Sequence, residues 1–328
     1  GFPGGTTLIL NISALIVSLG DFSGTPLGDD IDSDDVIPSL SSAQASLFTT
    51  GSVQSLETTE SYNVNKFSIT SANYGSSSHP ISSATSNHKV LRVNPAGGVR
   101  YINRLPNSTF AFSPSQPFTI GFWYKSTQSL GSTTLAGMIT SASTSSPYKG
   151  VFFWAYGNSQ VYLNLRHAFP SDQLQVVSGA FSTSHQDGNW HHVAVTYDGS
   201  RTPGGIVFYH NGSAVTGNTT SNNNLSSTDT LRVIGDSQYT FTIGPRFNDT
   251  QYYLDYEIAD FVMYDAASTA ATIASLWNSG NGAFASTITP AAVGGGAINE
   301  VVNYDFLATS TNYVGFDTSP NNLTLEKK

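Results

Sequence analysis

Gly188-Asn-Trp-His-His-Val-Ala-Val-Thr-Tyr-Asp-Gly199 is the stretch on which the fold turns. His191, Val193, Val195 and Tyr197 fall on one side of it, and the polar or small His192, Ala194 and Thr196 on the other. That two-residue period is the signature of a strand with one buried face. Working outward, the same alternation recurs upstream in Phe118-Thr-Ile-Gly-Phe-Trp-Tyr-Lys125, where Phe118, Ile120, Phe122 and Tyr124 share a face. It recurs again in Val161-Tyr-Leu-Asn-Leu-Arg166. Downstream, Ile206-Val-Phe-Tyr-His-Asn-Gly-Ser-Ala-Val215 carries Asn211-Gly212 between apolar flanks. Both residues of such a turn accept positive φ, so a tight hairpin is predicted there. Many short strands with turns between them and almost no helix imply an antiparallel sandwich or barrel.

One helix is predicted after the strand ending near Tyr264. Ser268 is placed as its N-cap, Ile273, Leu276 and Trp277 fall at helical spacing, and Gly280 stands where a C-terminal cap belongs. At least two of Trp123, Trp190 and Phe208 are expected in the inter-sheet core or at its margin.

The order of these pieces resembles the LamG/pentraxin-like branch of the concanavalin A-like lectin/glucanase superfamily. The residues that carry the resemblance are Phe118–Tyr124, Gly188–Gly199, Val207-Phe-Tyr-His-Asn-Gly212, Phe241-Thr-Ile-Gly244 and Ile258-Ala-Asp-Phe-Val-Met-Tyr-Asp265, with the following helix. The resemblance covers roughly residues 86–282 and implies an all-β fold: an antiparallel jelly-roll β-sandwich of two sheets packed face to face. Texture divides the remainder. Residues 1–85 read as an acidic, Ser/Thr-rich arm with strand-like segments. Residues 283–328 read as a linker with Gly294-Gly295-Gly296 and a C-terminal strand extension, Tyr304 to Leu325, shaped like the opening of another such domain. That piece supplies a strand either to its own domain or to a neighbour's, or the chain is cut from a tandem array.

Composition narrows the function. Charged residues are only 11% of the 328, less than half the usual share, and Ser, Thr, Asn and Gly take their place on the surface. Extracellular and virion-surface β proteins have this texture. No Lys or Arg precedes Lys66, so most of the net charge of −9 belongs to the arm. Nothing forms a basic stripe for phosphates, and no nucleic acid is expected as a partner. The absence of cysteine excludes a disulfide scaffold, thiolate zinc and thiol catalysis. The longest apolar run, Leu8 to Leu19, is broken by Asn11, Ser13 and Ser18 and is too short for a membrane-spanning helix.

Candidate sites follow from chemistry. Glucanases of the related sandwiches align carboxylates along one strand, and retaining hydrolysis needs two of them about 5–5.5 Å apart. Asp255-Tyr-Glu257 comes nearest, but Asp260 is out of phase, so no catalytic residues are assigned and the protein is not expected to be an enzyme. His191 and His192 point to opposite faces and cannot share one ion. His191 is expected as a core imidazole with one hydrogen bond. Calcium is the likeliest cofactor by composition: Asp30, Asp32 and Asp34 offer alternating oxygen ligands, though without the glycine and distal glutamate of an EF-hand loop. Asp198, Asp236, Asp249 and Asp317 are loop acids where the resemblance implies that a rim calcium can sit. For carbohydrate, Tyr156, Tyr239, Tyr252 and Tyr253 stand in or beside loops, where aromatic faces stack on sugars.

The expected role is a non-enzymatic structural or adhesive protein, a virion or filament subunit, using its sandwich for glycan or surface-protein contact. A dedicated soluble lectin and a glycoside hydrolase or sialidase appendage are the alternatives. Location is expected to be extracellular, at a cell surface or a virion surface. Both termini look like strands seeking a sheet, so self-assembly through them is weighed against folding back on the same domain.

Overall fold

The computed structural model describes residues 75–93, 102–104, 113–143, 148–226, 239–244, 254–304, 306 and 326–327. Two antiparallel sheets form a sandwich. The first orders β1 (Leu91–Val93), β13 (Tyr256–Tyr264), β3 (Phe118–Lys125), β8 (His191–Tyr197), β9 (Ile206–His210) and β10 (Ser213–Ala214). A seventh strand, β14 (Glu300–Tyr304), pairs with the second half of β13, while β1 takes the first half of the same edge. The second sheet orders β11 (Thr219–Asn223), β7 (Asp172–Val177), β6 (Gln160–Ala168), β5 (Gly150–Tyr156), β4 (Leu135–Ser143), β12 (Tyr239–Ile243), β2 (Ile102–Arg104) and β15 (Glu326–Lys327). The C-terminal strands β14 and β15 thus return to this chain's own sheets.

The core lies where the alternation places it. Phe118, Ile120, Phe122 and Tyr124 of β3 join Val193, Val195 and Tyr197 of β8, and from the facing sheet Val151 and Phe153 of β5 and Leu163 and Leu165 of β6. Removing that apolar surface from water is the main force holding the sheets together. Two hydrogen bonds add direction: Tyr256 of β13 donates its hydroxyl to Met138 O on the facing sheet, at 2.8 Å, and Tyr197 donates to Pro114 O.

The predicted hairpin forms. Asn211 and Gly212 take φ of 49° and 75°, and Ser213 pairs with His210. A Cβ on Gly212 would lie 2.5 Å from the Trp277 ring, so glycine serves both the turn and the packing.

The predicted helix forms one residue later and ends earlier than its caps suggested. It is α1 (Ala270–Trp277), with Thr269 as N-cap accepting from Thr272 N, and Asn278 in the left-handed C-cap position at φ 47°. Ser268 is instead taken by a bridge to Ala292, its N–H donating to Thr119 Oγ1 at 2.8 Å. Ile273 and Leu276 of α1 pack on Ala194, Val262 and Tyr264.

Trp277 stacks on Trp123 with ring centroids 5.2 Å apart. Phe208 is in the inter-sheet core as expected, but Trp123 and Trp190 are not. Both belong to a second apolar layer on the outer side of the first sheet, under Ile81, Val90 and Phe284. Trp190 also ties the segment before β1 to the sandwich by donating Nε1–H to Ser78 O at 2.9 Å. Among the described residues no helix is long and apolar enough to cross a membrane.

β13 carries one irregularity of consequence. Its register against β3 slips between Ala259 and Phe261, and the extra residue, Asp260, sits at φ 46°. Before this bulge Tyr256 and Ile258 face the core; after it, Phe261 and Met263 do.

Candidate functional site

Where β3 ends and β13 begins, three neighbouring strands present a row of charges on the outer face. Arg92 of β1 and Lys125 of β3 both lie opposite Glu257 of β13. With Ser76, Ser126, Thr127 and Asp255 they line a shallow pocket of about 170 Å³. In a chain so poor in charge, four ionisable groups in one pocket stand out.

Each group but one is fixed. Arg92 donates Nε–H and Nη2–H to the two carboxylate oxygens of Asp255, at 3.0 and 2.7 Å, and that hydrogen bonding holds its pKa above the ordinary value. The pair is half open to water, so it contributes at most about 1 kcal/mol; its role is to position. Glu257 accepts from the backbone N–H of Ser76 at 2.7 Å and of Ser77 at 3.3 Å. A Cβ at position 75 would lie 2.4 Å from Glu257 Oε1 and 2.7 Å from Val90 Cγ1, so glycine here leaves the carboxylate its place. Ser126 Oγ donates to Asp255 O at 2.6 Å and accepts from Gln128 N. Lys125 makes no ion pair among the described residues, so its ammonium stands ready beside acceptors and hydroxyls. Donors and acceptors held this way suit a ligand rich in hydroxyl or amide groups.

Asp255 and Glu257 do reach one pocket, but one is clamped by a guanidinium and the other by two N–H groups. Asp260 is carried out of phase by the bulge.

Behind the pocket a polar chain runs from the exposed Asp187 into the space between the sheets. Asp187 Oδ1 accepts from His191 Nε2 at 3.0 Å, and His191 Nδ1 lies 3.0 Å from His210 Nε2. His210 stacks on Phe181 at 4.1 Å, and His185 sits edge-on to both Phe181 and Tyr124. Burial, and then the neighbouring His191, lower the His210 pKa to about 4; burial above all lowers His185 to about 3. Burial would raise Asp187, but hydrogen bonds from His191 and Asn189 outweigh it and bring the carboxyl down to about 2. His191 therefore has two strong partners rather than one. The second, His210, was not foreseen, because the register that aligns it with Val193 is not written in either strand alone. His192 points to the opposite face as expected, and burial lowers it to about 3.

Of the sequence-selected tyrosines, Tyr156 does not line this pocket. Tyr156 lies half-buried at the end of β5, on the outer face of the second sheet, opposite Gln160 and Leu135. Tyr239 opens β12, its backbone paired with Ser143. Tyr252 and Tyr253 lie outside the described residues, as do Asp30, Asp32, Asp34, Asp236, Asp249 and Asp317. Asp198 is engaged locally, accepting from Ser200 N at 2.8 Å. Among the described residues no group of three or more His, Asp or Glu is placed to hold a metal ion.

Tyr156 does have aromatic company that sequence reasoning missed. Phe152, Trp154 and Tyr162 share its outer face, and the Arg166 guanidinium lies over Phe152 at 4.6 Å and over Phe169 at 4.8 Å. The signal was the run Val151-Phe-Phe-Trp-Ala-Tyr156, which is large and apolar on both faces.

Comparison with known proteins bears on the fold. No curated protein matches the sequence. Among solved structures, the binding domain of botulinum neurotoxin serotype G superposes with a TM-score of 0.41 at 18% identity, covering 63% of this chain and 47% of that one, so this chain spans about half its length. A heptameric SAP-like pentraxin from Limulus polyphemus gives 0.40 at 14% identity, covering 59% and 84% of the two chains. The CBM40 of the Ruminococcus gnavus IT-sialidase gives 0.37 at 11%, covering 49% and 82%. A laminin G-type family model, described as the concanavalin A-like lectin/glucanases superfamily, matches residues 96–274. That span runs from just before β2 into α1 and holds the four strands at the centre of each sheet's core, over more than half of the sequence; the chain belongs to the concanavalin A-like lectin/glucanases superfamily.

Proposed function

We propose that this protein is a non-enzymatic structural or adhesive subunit, displayed on a virion, an extracellular filament or a cell surface, whose sandwich contacts glycans or surface proteins at the Arg92–Lys125 pocket. The observation that carries this reading is the commitment of the pocket's acids. A hydrolase needs one carboxyl to give a proton and another to attack or to activate water. Here Asp255 and Glu257 are occupied in holding the pocket's shape. A binding site gains from such rigidity, because pre-ordered groups lose less entropy when a ligand arrives. The lectin-like fold and the hydroxyl-rich surface support the same reading.

A glycan array probed with the full chain tests it, with Lys125→Ala and Arg92→Ala as variants. Retained glycan without released reducing sugar is expected, with retention weakened at least about tenfold in each variant, the size of one or two lost charge-assisted hydrogen bonds. Released reducing sugar would return the protein to the glycosidase reading. Retention unchanged in both variants would place the contact elsewhere.

A further inference from the structure

The connection from β7 to β8, residues 178–190, closes the end of the sandwich behind the pocket. It is hung on its neighbours by the backbone. Phe181 N donates to Ser159 O at 2.6 Å, His185 N to Asn158 O at 3.0 Å, and Gly188 N to Ser126 O at 2.9 Å, the last on the pocket wall itself. Its only carboxylate is Asp187. That group joins it to β8 through His191, and through His191 to His210 on β9.

We infer that Asp187, His191 and His210 form an acid-sensitive latch, which holds this connection closed at neutral pH and loosens it when His210 takes a proton.

The hydrogen-bond sequence fixes the protonation. Asp187 as a carboxylate can only accept, so His191 Nε2 carries a hydrogen and, in a neutral ring, Nδ1 is bare. A bare Nδ1 at 3.0 Å requires that His210 Nε2 carry a hydrogen. Both contacts of the chain are then made with the two imidazoles neutral. A further proton on His191 Nδ1 would set two N–H groups against each other until His210 shifted its hydrogen to Nδ1; on His210 it would place a largely buried cation beside the imidazoles of His191 and His185.

The titratable groups around His210 are His191 and His192 on β8 and His185 and Asp187 on the connection, with Tyr124 of β3 packed on His185 and His191. Only Asp187 is negative, and it is already bonded to His191. The site has little reserve, because the Tyr124 hydroxyl and His185 Nδ1 are buried there without a partner among the described residues.

The direction follows from linkage. His210 has an ordinary value of 6.5 when the connection opens and about 4 when it is closed, so closure is fully stable above 6.5 and is progressively lost as pH falls from 6.5 towards 4. At pH 5 the two values make opening about 20-fold more frequent than at pH 7 through His210 alone. The pocket wall at Ser126 then loses the bond from Gly188, so acid loosens the pocket whatever it binds.

Amide hydrogen exchange over residues 181–189 of the full chain, corrected for the intrinsic effect of pH, reads this opening directly. Between pH 7 and pH 5 the wild type is expected to gain about 20-fold more opening than His210→Phe, which keeps a ring against Phe181 but cannot titrate. His185 is present in both proteins, so its own contribution cancels. His210→Gln gives the same comparison should the phenylalanine variant fail to fold. Asp187→Asn is expected to raise opening already at pH 7. A wild-type segment unchanged between the two pH values, or an equal increase in wild type and in the folded His210 variant, would overturn the latch.

Discussion

Phe122→Ala is expected to destabilise the protein by about 4 kcal/mol, with the melting temperature falling by roughly 10 °C. Phe122 is fully buried at the middle of β3, a central strand of the first sheet. Its ring meets Phe153 of the facing sheet at 5.8 Å and Phe261 of the neighbouring strand at 6.1 Å. Truncation therefore opens a cavity bounded by both sheets. Neither sheet can collapse into it without disturbing ladders to β8 and β13. Urea unfolding of the two proteins side by side measures the loss. A difference below about 1 kcal/mol would mean that the two inner faces do not meet at Phe122 and that the sandwich core has been misplaced.

The core of the sandwich was legible because its strands obey one rule. Where Val193, Val195 and Tyr197 alternate with smaller or polar residues, the side facing inward is decided by the residues alone. The Asn211-Gly212 hairpin was legible for a local reason, the positive φ of both turn residues. Trp123 was misjudged for an equally physical one. It alternates with Phe122 and Tyr124 and so points away from the core, and a tryptophan on an outer face would ordinarily be costly. The outer face of this sheet is covered by α1 and by the residues around Ile81 and Phe284, a second layer that no single strand announces. The same layer explains why β13 is buried along its whole length.

The site was less legible than the fold. Aromatic residues beside loops are a reasonable guide to sugars, yet the pocket that forms is charged and hydroxylic. Arg92, Lys125 and Glu257 are scattered over more than 160 positions, and only the order β1-β13-β3 brings them side by side. Antiparallel pairing with a crossover from one end of the domain to the other cannot be read from local periodicity. Asp255 and Glu257 were noticed as a pair, and the structure does place both in the pocket. Their partners, Arg92 and the N–H groups of Ser76 and Ser77, were the part that sequence could not supply.

The out-of-phase position of Asp260 has the largest consequence for folding. Ile258-Ala-Asp-Phe-Val-Met263 reads as a strand whose alternation breaks, and the break is a bulge with one residue at positive φ. Deleting Asp260 alone lets Phe261 follow Ala259 directly, keeps both halves of β13 on their faces, and is expected to fold; deleting Ala259 and Asp260 together is expected to abolish folding. With both residues gone the two halves of β13 cannot both keep their faces. If Tyr256 and Ile258 stay in register with β1 and β3, then Phe261 and Met263 turn outward under α1, and Val262 and Tyr264 turn into the core. Both of those layers are closely packed, so each exchange leaves a void on one side and a clash on the other, at about 1–5 kcal/mol apiece. Four such exchanges exceed the stability of an ordinary domain. β13 is also the strand that β1, β3 and β14 all pair with, so a slipped register strands three neighbours at once. Asp260→Gly separates the backbone requirement from the side chain. Glycine takes a φ of 46° without strain, and the variant is expected to fold with a sandwich-type circular dichroism spectrum and a cooperative melt. A double-deletion variant that remained soluble and melted like the wild type would show that β13 tolerates either register, and the assignment of its two faces would fall with it.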